Sequence, residues 1–176
     1  RSHPRPDAPW RTVTYAEALR DVEAFGGWML EKQLGQDRPL IILSDNSVDH
    51  ALLALAAQHV GVPVTSVSTA YALVSKDHGK LKSIIGQLRP GAIFVDILEP
   101  YQPALNAIAD LHEGVVLFGH VSGNETFAGS AEALSRARNT HNAEAVAQAF
   151  RAITPDTVAK VLFTSGSTGE PKGVIT

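Results

Sequence analysis

The chain has 176 residues, 15 Lys plus Arg against 18 Asp plus Glu for a net charge of −3, and 44% apolar residues. Such a length fits one domain or one large fragment, and that apolar share can fill a core, so disordered and fibrous classes are excluded. The charge balance argues against a nucleic-acid partner held by phosphate neutralisation, and the absence of cysteine rules out disulfides, thiolate metal sites and a cysteine nucleophile.

Residues 1–12 are Pro-rich and charged and read as an N-terminal arm. Thr14-Tyr15-Ala16-Glu17 matches a capping box, in which the Thr hydroxyl and the Glu carboxylate each satisfy a backbone N–H at the helix start. A helix is predicted from there to about Leu34, with Ala18, Val22, Phe25 and Met29 at helical spacing, Gly35 as its end and Gly26-Gly27 weakening its middle. A unit then recurs: a short apolar run, a turn, a helix. Strands are predicted at 39–43, 62–67, 91–95 and 115–118, and helices at 48–60, 76–88 and 103–111. Ser44-Asp45-Asn46-Ser47 reads as a turn and helix cap, because every residue in it is a turn former; it also lies where ligands bind in α/β folds. The Gly/Ser/Asn-rich stretch 119–141 carries a short helix at 131–138, and a further helix is expected at 143–152 and a last apolar strand at 158–163.

Strands alternating with helices imply βαβ crossovers, and uniformly apolar strands suit a sheet covered on both faces. The expected fold class is therefore α/β, a largely parallel sheet with helices on both faces. The arm at 1–12 would lead into one α/β unit over 13–157, followed by a strand–loop–strand segment over 158–176. The longest fully apolar run, Ala51 to Ala57, falls well short of the ~20 residues of a membrane span. Arg1-Ser2-His3-Pro4-Arg5-Pro6 has no apolar stretch behind it and is not a secretory signal; with no cysteine, a reducing, cytoplasmic location is expected. The chain lacks an initiator Met and Thr176 interrupts a β-like run, so both ends are expected to be cut from a longer polypeptide.

The chemistry-bearing segment is Thr164-Ser165-Gly166-Ser167-Thr168-Gly169-Glu170-Pro171-Lys172-Gly173, directly after an apolar strand. Three glycines permit positive φ and close backbone approach to a ligand. Four hydroxyls and free N–H groups can donate to anionic oxygens, and Lys172 adds a compact positive charge. This is not a Walker A loop, which needs Gly-Lys-Ser/Thr opening a helix; here Pro171 precedes Lys172 and Gly173-Val174-Ile175-Thr176 reads as a strand. Composition alone also leaves open a solvent-exposed Gly/Ser hairpin. Few packing contacts would hold such a loop, which predicts mobility without ligand.

The same run, ending in Pro-Lys-Gly, resembles the phosphate loop of the adenylate-forming (AMP-binding) enzymes, the superfamily of acyl-CoA synthetases, carrier-loading adenylation domains and firefly luciferase. Thr14-Tyr15-Ala16-Glu17 resembles the early "T-Y-x-E" segment of that family, and the stretch from Ala51 to Val64 its "A-x-x-x-x-G-x-x-x-x-P" region, with Pro63 placed early. Within the superfamily, His50 to Val64, Tyr71 to His78 and Asp156 to Phe163 look most like feruloyl-CoA synthetases, although Thr69 stands where that branch would have Pro. The resemblance implies an ATP-dependent acid–CoA ligase acting on an aromatic or phenylpropenoid acid such as ferulate. The carboxylate attacks the α-phosphate of ATP, pyrophosphate leaves, and the thiol of CoA takes the acyl group from the adenylate. Ser165, Ser167, Thr168 and Lys172 are the implied side-chain phosphate contacts, with Lys172 the catalytic group; Gly166 and Gly169 permit backbone contacts, and Thr164 shapes the entry. The adenine and ribose contacts, the ligand for Mg2+ and a C-terminal lysine would lie beyond Thr176, in the rest of the polypeptide, so the 176-residue piece alone is expected to be inactive. A carrier-protein-loading adenylation module and a non-catalytic anion-binding α/β domain remain as alternatives.

The seven histidines, at 3, 50, 59, 78, 112, 120 and 141, are never three or four apart, so no metal site is expected from them. Tyr71 reads as a packed aromatic. Gly119-His120 and Val121-Ser122-Gly123-Asn124 lack the Gly-x-Gly-x-x-Gly spacing of a dinucleotide loop, and no Gly-x-Ser-x-Gly elbow occurs.

Overall fold

Alternating apolar runs and amphipathic segments resolve, in a computed structural model that describes residues 12–121, 130–165 and 169–176, into a parallel sheet between two helical layers. The elements, in order, are α1 (Tyr15–Glu31), β1 (Leu40–Ile42), α2 (Val48–His59), β2 (Val64–Ser66), α3 (Ala70–Leu73), α4 (Gly79–Leu88), β3 (Ala92–Ile97), α5 (Leu98–Ile108), β4 (Val115–His120), β5 (Ala131–Ala133), α6 (Leu134–Arg138), α7 (Ala143–Arg151), β6 (Val161–Ser165) and β7 (Pro171–Ile175). The first five strands form one sheet in the order β2-β1-β3-β4-β5, every neighbouring pair parallel.

Strand side chains alternate between the faces, and the core divides accordingly. Leu40, Ile42, Val64, Ala92, Phe94 and Leu117 pack with α1, α2, α6 and α7. Ile41, Leu43, Ile93, Val95 and Val116 pack with α3, α4 and α5. Both faces are thus dry, which is why the strands carry no polar alternation. Among the described residues no helix is long and apolar enough to cross a membrane.

The capping box at Thr14 forms as expected: Glu17 N donates to Thr14 Oγ1 at 3.2 Å and Thr14 N donates to Glu17 Oε2 at 2.8 Å. The helix it opens ends at Glu31 rather than Leu34, because Gln33 turns back with φ +58°. Gly26-Gly27 does not break it. A Cβ at Gly26 would sit 2.8 Å from Val60 Cγ1, and one at Gly27 3.3 Å from Thr140 Cγ2, so the pair lets α2 and the α6–α7 connection approach α1 closely.

Three elements differ from expectation in kind or extent. Residues 131–133, predicted as helix, form β5, an edge strand extended by pairing with β4. The four-residue α3 was not foreseen. Helix α5 starts at Leu98, five residues early, and contains Pro100 and Pro103. Pro100 falls where helix N–H groups have no intrahelical partner, so only Pro103 removes a bond. The last strands also shift: β6 starts at Val161 and β7 at Pro171.

Candidate functional site

Strands β6 and β7 form an antiparallel hairpin in the register Val161↔Ile175, Leu162↔Val174, Phe163↔Gly173, Thr164↔Lys172 and Ser165↔Pro171. Residues directly opposite share a face. Phe163 packs against the α3–α5 side of the core and Pro171 is buried, whereas Thr164 and Lys172 are exposed. Gly173 keeps the inward face flat: a Cβ there would lie 3.0 Å from Val161 Cγ1 and 3.3 Å from Phe163 Cζ.

The base of the hairpin is joined to the sheet. Val64 N donates to Ala159 O at 3.1 Å, and Lys160 forms a parallel bridge with Val64. Thr176 N donates to Lys160 O at 3.0 Å. The side chain of Gln36 holds the approach from both sides, with Nε2 donating to Gly61 O at 2.6 Å and Oε1 accepting from Val158 N at 3.1 Å. Because β6 leaves this bridge parallel to β2, its end at Ser165 lies toward the C-terminal ends of β1 and β2, the edge where α/β sheets bind ligands.

Those of the expected phosphate-contacting residues that the structure describes fall around the end of this hairpin. Thr164 and Lys172 are cross-strand partners, Ser165 closes β6 opposite Pro171, and Gly169 adopts φ +86°, a left-handed conformation in which a Cβ would touch nothing. The requirement for glycine at 169 is therefore conformational. Lys172 takes part in none of the ion pairs among the described residues. Gly166, Ser167 and Thr168, and with them the expected mobility of the loop, lie outside the described residues.

On the same edge a cleft of about 320 Å³ is lined by Ser44, Asp45, Asn46, His50, Ser66 and Thr69. Ser47 caps α2 by accepting from His50 N at 3.0 Å, as the turn-and-cap reading anticipates. The His50 ring then joins the first two strand ends: Nδ1 is 3.3 Å from Asp45 O and Nε2 is 3.1 Å from Ser66 Oγ. That link joins residues 16 apart, so no local spacing could have signalled it. Nearby, burial and then the charges of Asp96 and Asp45 push the Tyr101 phenol well above its ordinary range, so it stays protonated. His78 Nδ1 faces Tyr71 O at 3.3 Å, and Tyr71 packs against the core with Lys80 Nζ 5.4 Å from its ring centroid. The described residues contain no group of three or more metal-ligating His, Cys, Asp or Glu side chains.

Known proteins share this sequence pattern and fold. The chain is 27% identical over 164 residues to a 4-chlorobenzoate–CoA ligase of Arthrobacter sp, a match covering 93% of this chain and 27% of that protein. It is 25% identical over 194 residues to a carboxylic acid reductase of Mycobacterium marinum, covering 94% of this chain and 15% of the reductase. The chain therefore spans about a quarter or less of the length of these relatives. In fold it matches the structure of McyG A-PCP complexed with phenylalanyl-adenylate, with a TM-score of 0.69 and 20% identity over 98% of this chain and 28% of that one. The parallel sheet between two helical layers, with the β6–β7 hairpin joined at its edge, is thus the fold of the front part of such enzymes, and because the family model for AMP-binding enzymes matches residues 3–176, the chain belongs to that family.

Proposed function

We propose that the full-length polypeptide is an AMP-forming acid–CoA ligase for an aromatic acid, and that this chain supplies the loop that holds the β- and γ-phosphates of ATP. The observation that carries the reading is the hairpin: an exposed Lys172, in no ion pair among the described residues, stands across from Thr164, next to a segment of hydroxyls and glycines. The 4-chlorobenzoate relative is named for an aromatic acid, and the segments resembling feruloyl-CoA synthetases support a phenylpropenoid acid such as ferulate.

In the first step, carboxylate oxygen attacks the α-phosphorus and the bond to the bridging oxygen of pyrophosphate breaks. Negative charge then builds on the departing pyrophosphate, and donors fixed in advance stabilise it more than they stabilise bound ATP. Lys172 supplies a point charge, Ser165, Ser167 and Thr168 supply hydroxyl protons, and Gly166 and Gly169 allow backbone N–H groups to approach. Each charge-assisted bond is worth roughly 1.5–3 kcal/mol. Thr164 shapes the entry from the strand. In the second step the CoA sulfur attacks the acyl carbon and AMP leaves. The resemblance to adenylate-forming enzymes implies that the Mg2+ accompanying ATP would be held by a ligand beyond Thr176.

The test is product analysis on the full-length polypeptide with ATP, CoA and a panel of benzoic and cinnamic acids. The reading predicts AMP, pyrophosphate and an aryl-CoA thioester in equal amounts. Transfer only to a carrier-protein thiol would replace the acceptor and keep the adenylation; no adenylation with any acid would leave the anion-binding alternative.

A further inference from the structure

Helix α4 reaches the exit of the phosphate loop through two side chains four residues apart, which therefore project from one face. Ser83 Oγ donates to Glu170 Oε2 at 3.0 Å. Gln87 Nε2 donates to Ser83 Oγ at 3.2 Å and to Pro171 O at 3.2 Å. The donor inventory closes: the amide nitrogen of Gln87 has two protons for two acceptors, and the Ser83 hydroxyl accepts one bond and donates its own. The two residues gripped, Glu170 and Pro171, immediately precede Lys172. Pro171 is buried and is the last hairpin partner before the loop.

We propose that Ser83 and Gln87 are positioning residues for the loop. They fix the backbone at Pro171, so that Lys172 is presented from a stationary base, and they commit the Glu170 carboxylate to α4. A free carboxylate beside a polyphosphate would repel it, so the Ser83 bond removes a competitor from the site as well as holding the chain. The proposal deepens the phosphate-loop reading and rests on it. Because α4 packs against the parallel sheet through Leu81, Ile84 and Ile85, the anchor is rigid where the loop is glycine-rich, the arrangement that preorganises a ligand site.

The experiment uses the full-length polypeptide and the variants Ser83→Ala, Gln87→Ala and the pair together. Three quantities are read: acid-dependent ATP–pyrophosphate exchange against ATP concentration, thioester formation from preformed acyl-adenylate and CoA, and amide hydrogen exchange at Gly169, Glu170, Lys172 and Gly173. The double variant is expected to lower kcat/KM for ATP by about 5- to 20-fold, mainly through KM, with thioester formation within about twofold. Its loop amides should exchange about tenfold faster. Ser83→Thr, which keeps the hydroxyl, should stay near the parent, and Glu170→Gln in the Ser83→Ala background should recover part of the loss by removing the freed charge. Unchanged exchange at these amides in the double variant, or equal losses in both half-reactions, would overturn the proposal. If the parent enzyme performs no acid-dependent exchange reaction, the ligase reading fails, and the amide exchange still decides whether α4 anchors the loop.

Discussion

Lys172 is one hairpin pair from the loop and exposed, with Thr164 opposite it. A solvated surface lysine would affect each half-reaction by about twofold or less, whereas a lysine bearing on the departing pyrophosphate acts on one step only. Lys172→Ala is expected to slow adenylate formation by roughly 10- to 100-fold, with little effect on thioester formation from preformed adenylate. Lys172→Arg should restore only part, since the wider guanidinium fork does not replace a point charge. Equal losses in both steps, measured separately, would contradict this. At Gly114 the constraint is steric. A Cβ there would lie 2.4 Å from Pro90 O and 2.8 Å from Gly91 C, both backbone. Gly114→Ala should therefore cost roughly 3 kcal/mol or more in chemical denaturation, because neither neighbour can swing away. The place of Lys172 beside the loop is legible in the sequence because the loop residues are contiguous. The constraint at Gly114 is not, since what excludes a side chain there comes from residues 23 and 24 positions earlier.

Among elements, α6 is tied to the helical layer by one arginine. Arg138 Nε donates to Asp21 Oδ2 at 3.0 Å, its terminal nitrogen donates to Asp49 Oδ1 at 2.7 Å, and its guanidinium lies 5.2 Å from the Phe25 ring centroid. Asp21 is buried. Arg138→Ala removes the Asp49 donor and leaves Asp21 to Arg20 alone, and should lower stability by about 2 kcal/mol; Arg138→Lys should recover less than half, because a point charge cannot serve both acids along a fork. Urea denaturation decides it. A second element-scale test concerns the turn before β4. Gly114 N donates to His112 Nδ1 at 3.0 Å, and burial holds that imidazole below its ordinary pKa. The folded chain thus favours the neutral ring. This contribution is complete above the ordinary imidazole pKa near 6.5 and is lost as pH falls through the lower folded value. Thermal midpoints should fall between pH 7.5 and 5, and His112→Asn, which keeps an acceptor for the N–H two residues on, should flatten that fall. An unchanged slope would contradict the assignment. The βαβ alternation is readable because β1 to β4 are buried on both faces over most of their length and each longer helix keeps its apolar stripe. The exceptions have physical causes: β5 is extended by its partner strand against the helical preference of Ala-Glu-Ala, and the start of α5 was hidden by prolines that the first turn tolerates.

At the scale of the molecule, a sheet sealed on both faces carries a hairpin at its edge, with the Ser165–Pro171 pair and the His50 cleft toward the same end. The hairpin presents Leu162, Val174 and Ile175 half-exposed or more, and the chain covers only 27% of the 4-chlorobenzoate–CoA ligase it resembles. On this account the chain contributes the phosphate grip, and adenine, acid and CoA are bound with residues outside it. The isolated 176-residue chain should accordingly release no pyrophosphate from ATP and an aromatic acid, whatever its folded state. The central claim is that this loop serves acyl-adenylate formation. Acid-dependent exchange of labelled pyrophosphate into ATP, measured on the full-length polypeptide with benzoic and cinnamic acids, tests it most directly. The account predicts exchange that requires an acid and needs no CoA; no exchange with any carboxylic acid, or release of ADP and phosphate in place of AMP and pyrophosphate, would contradict it.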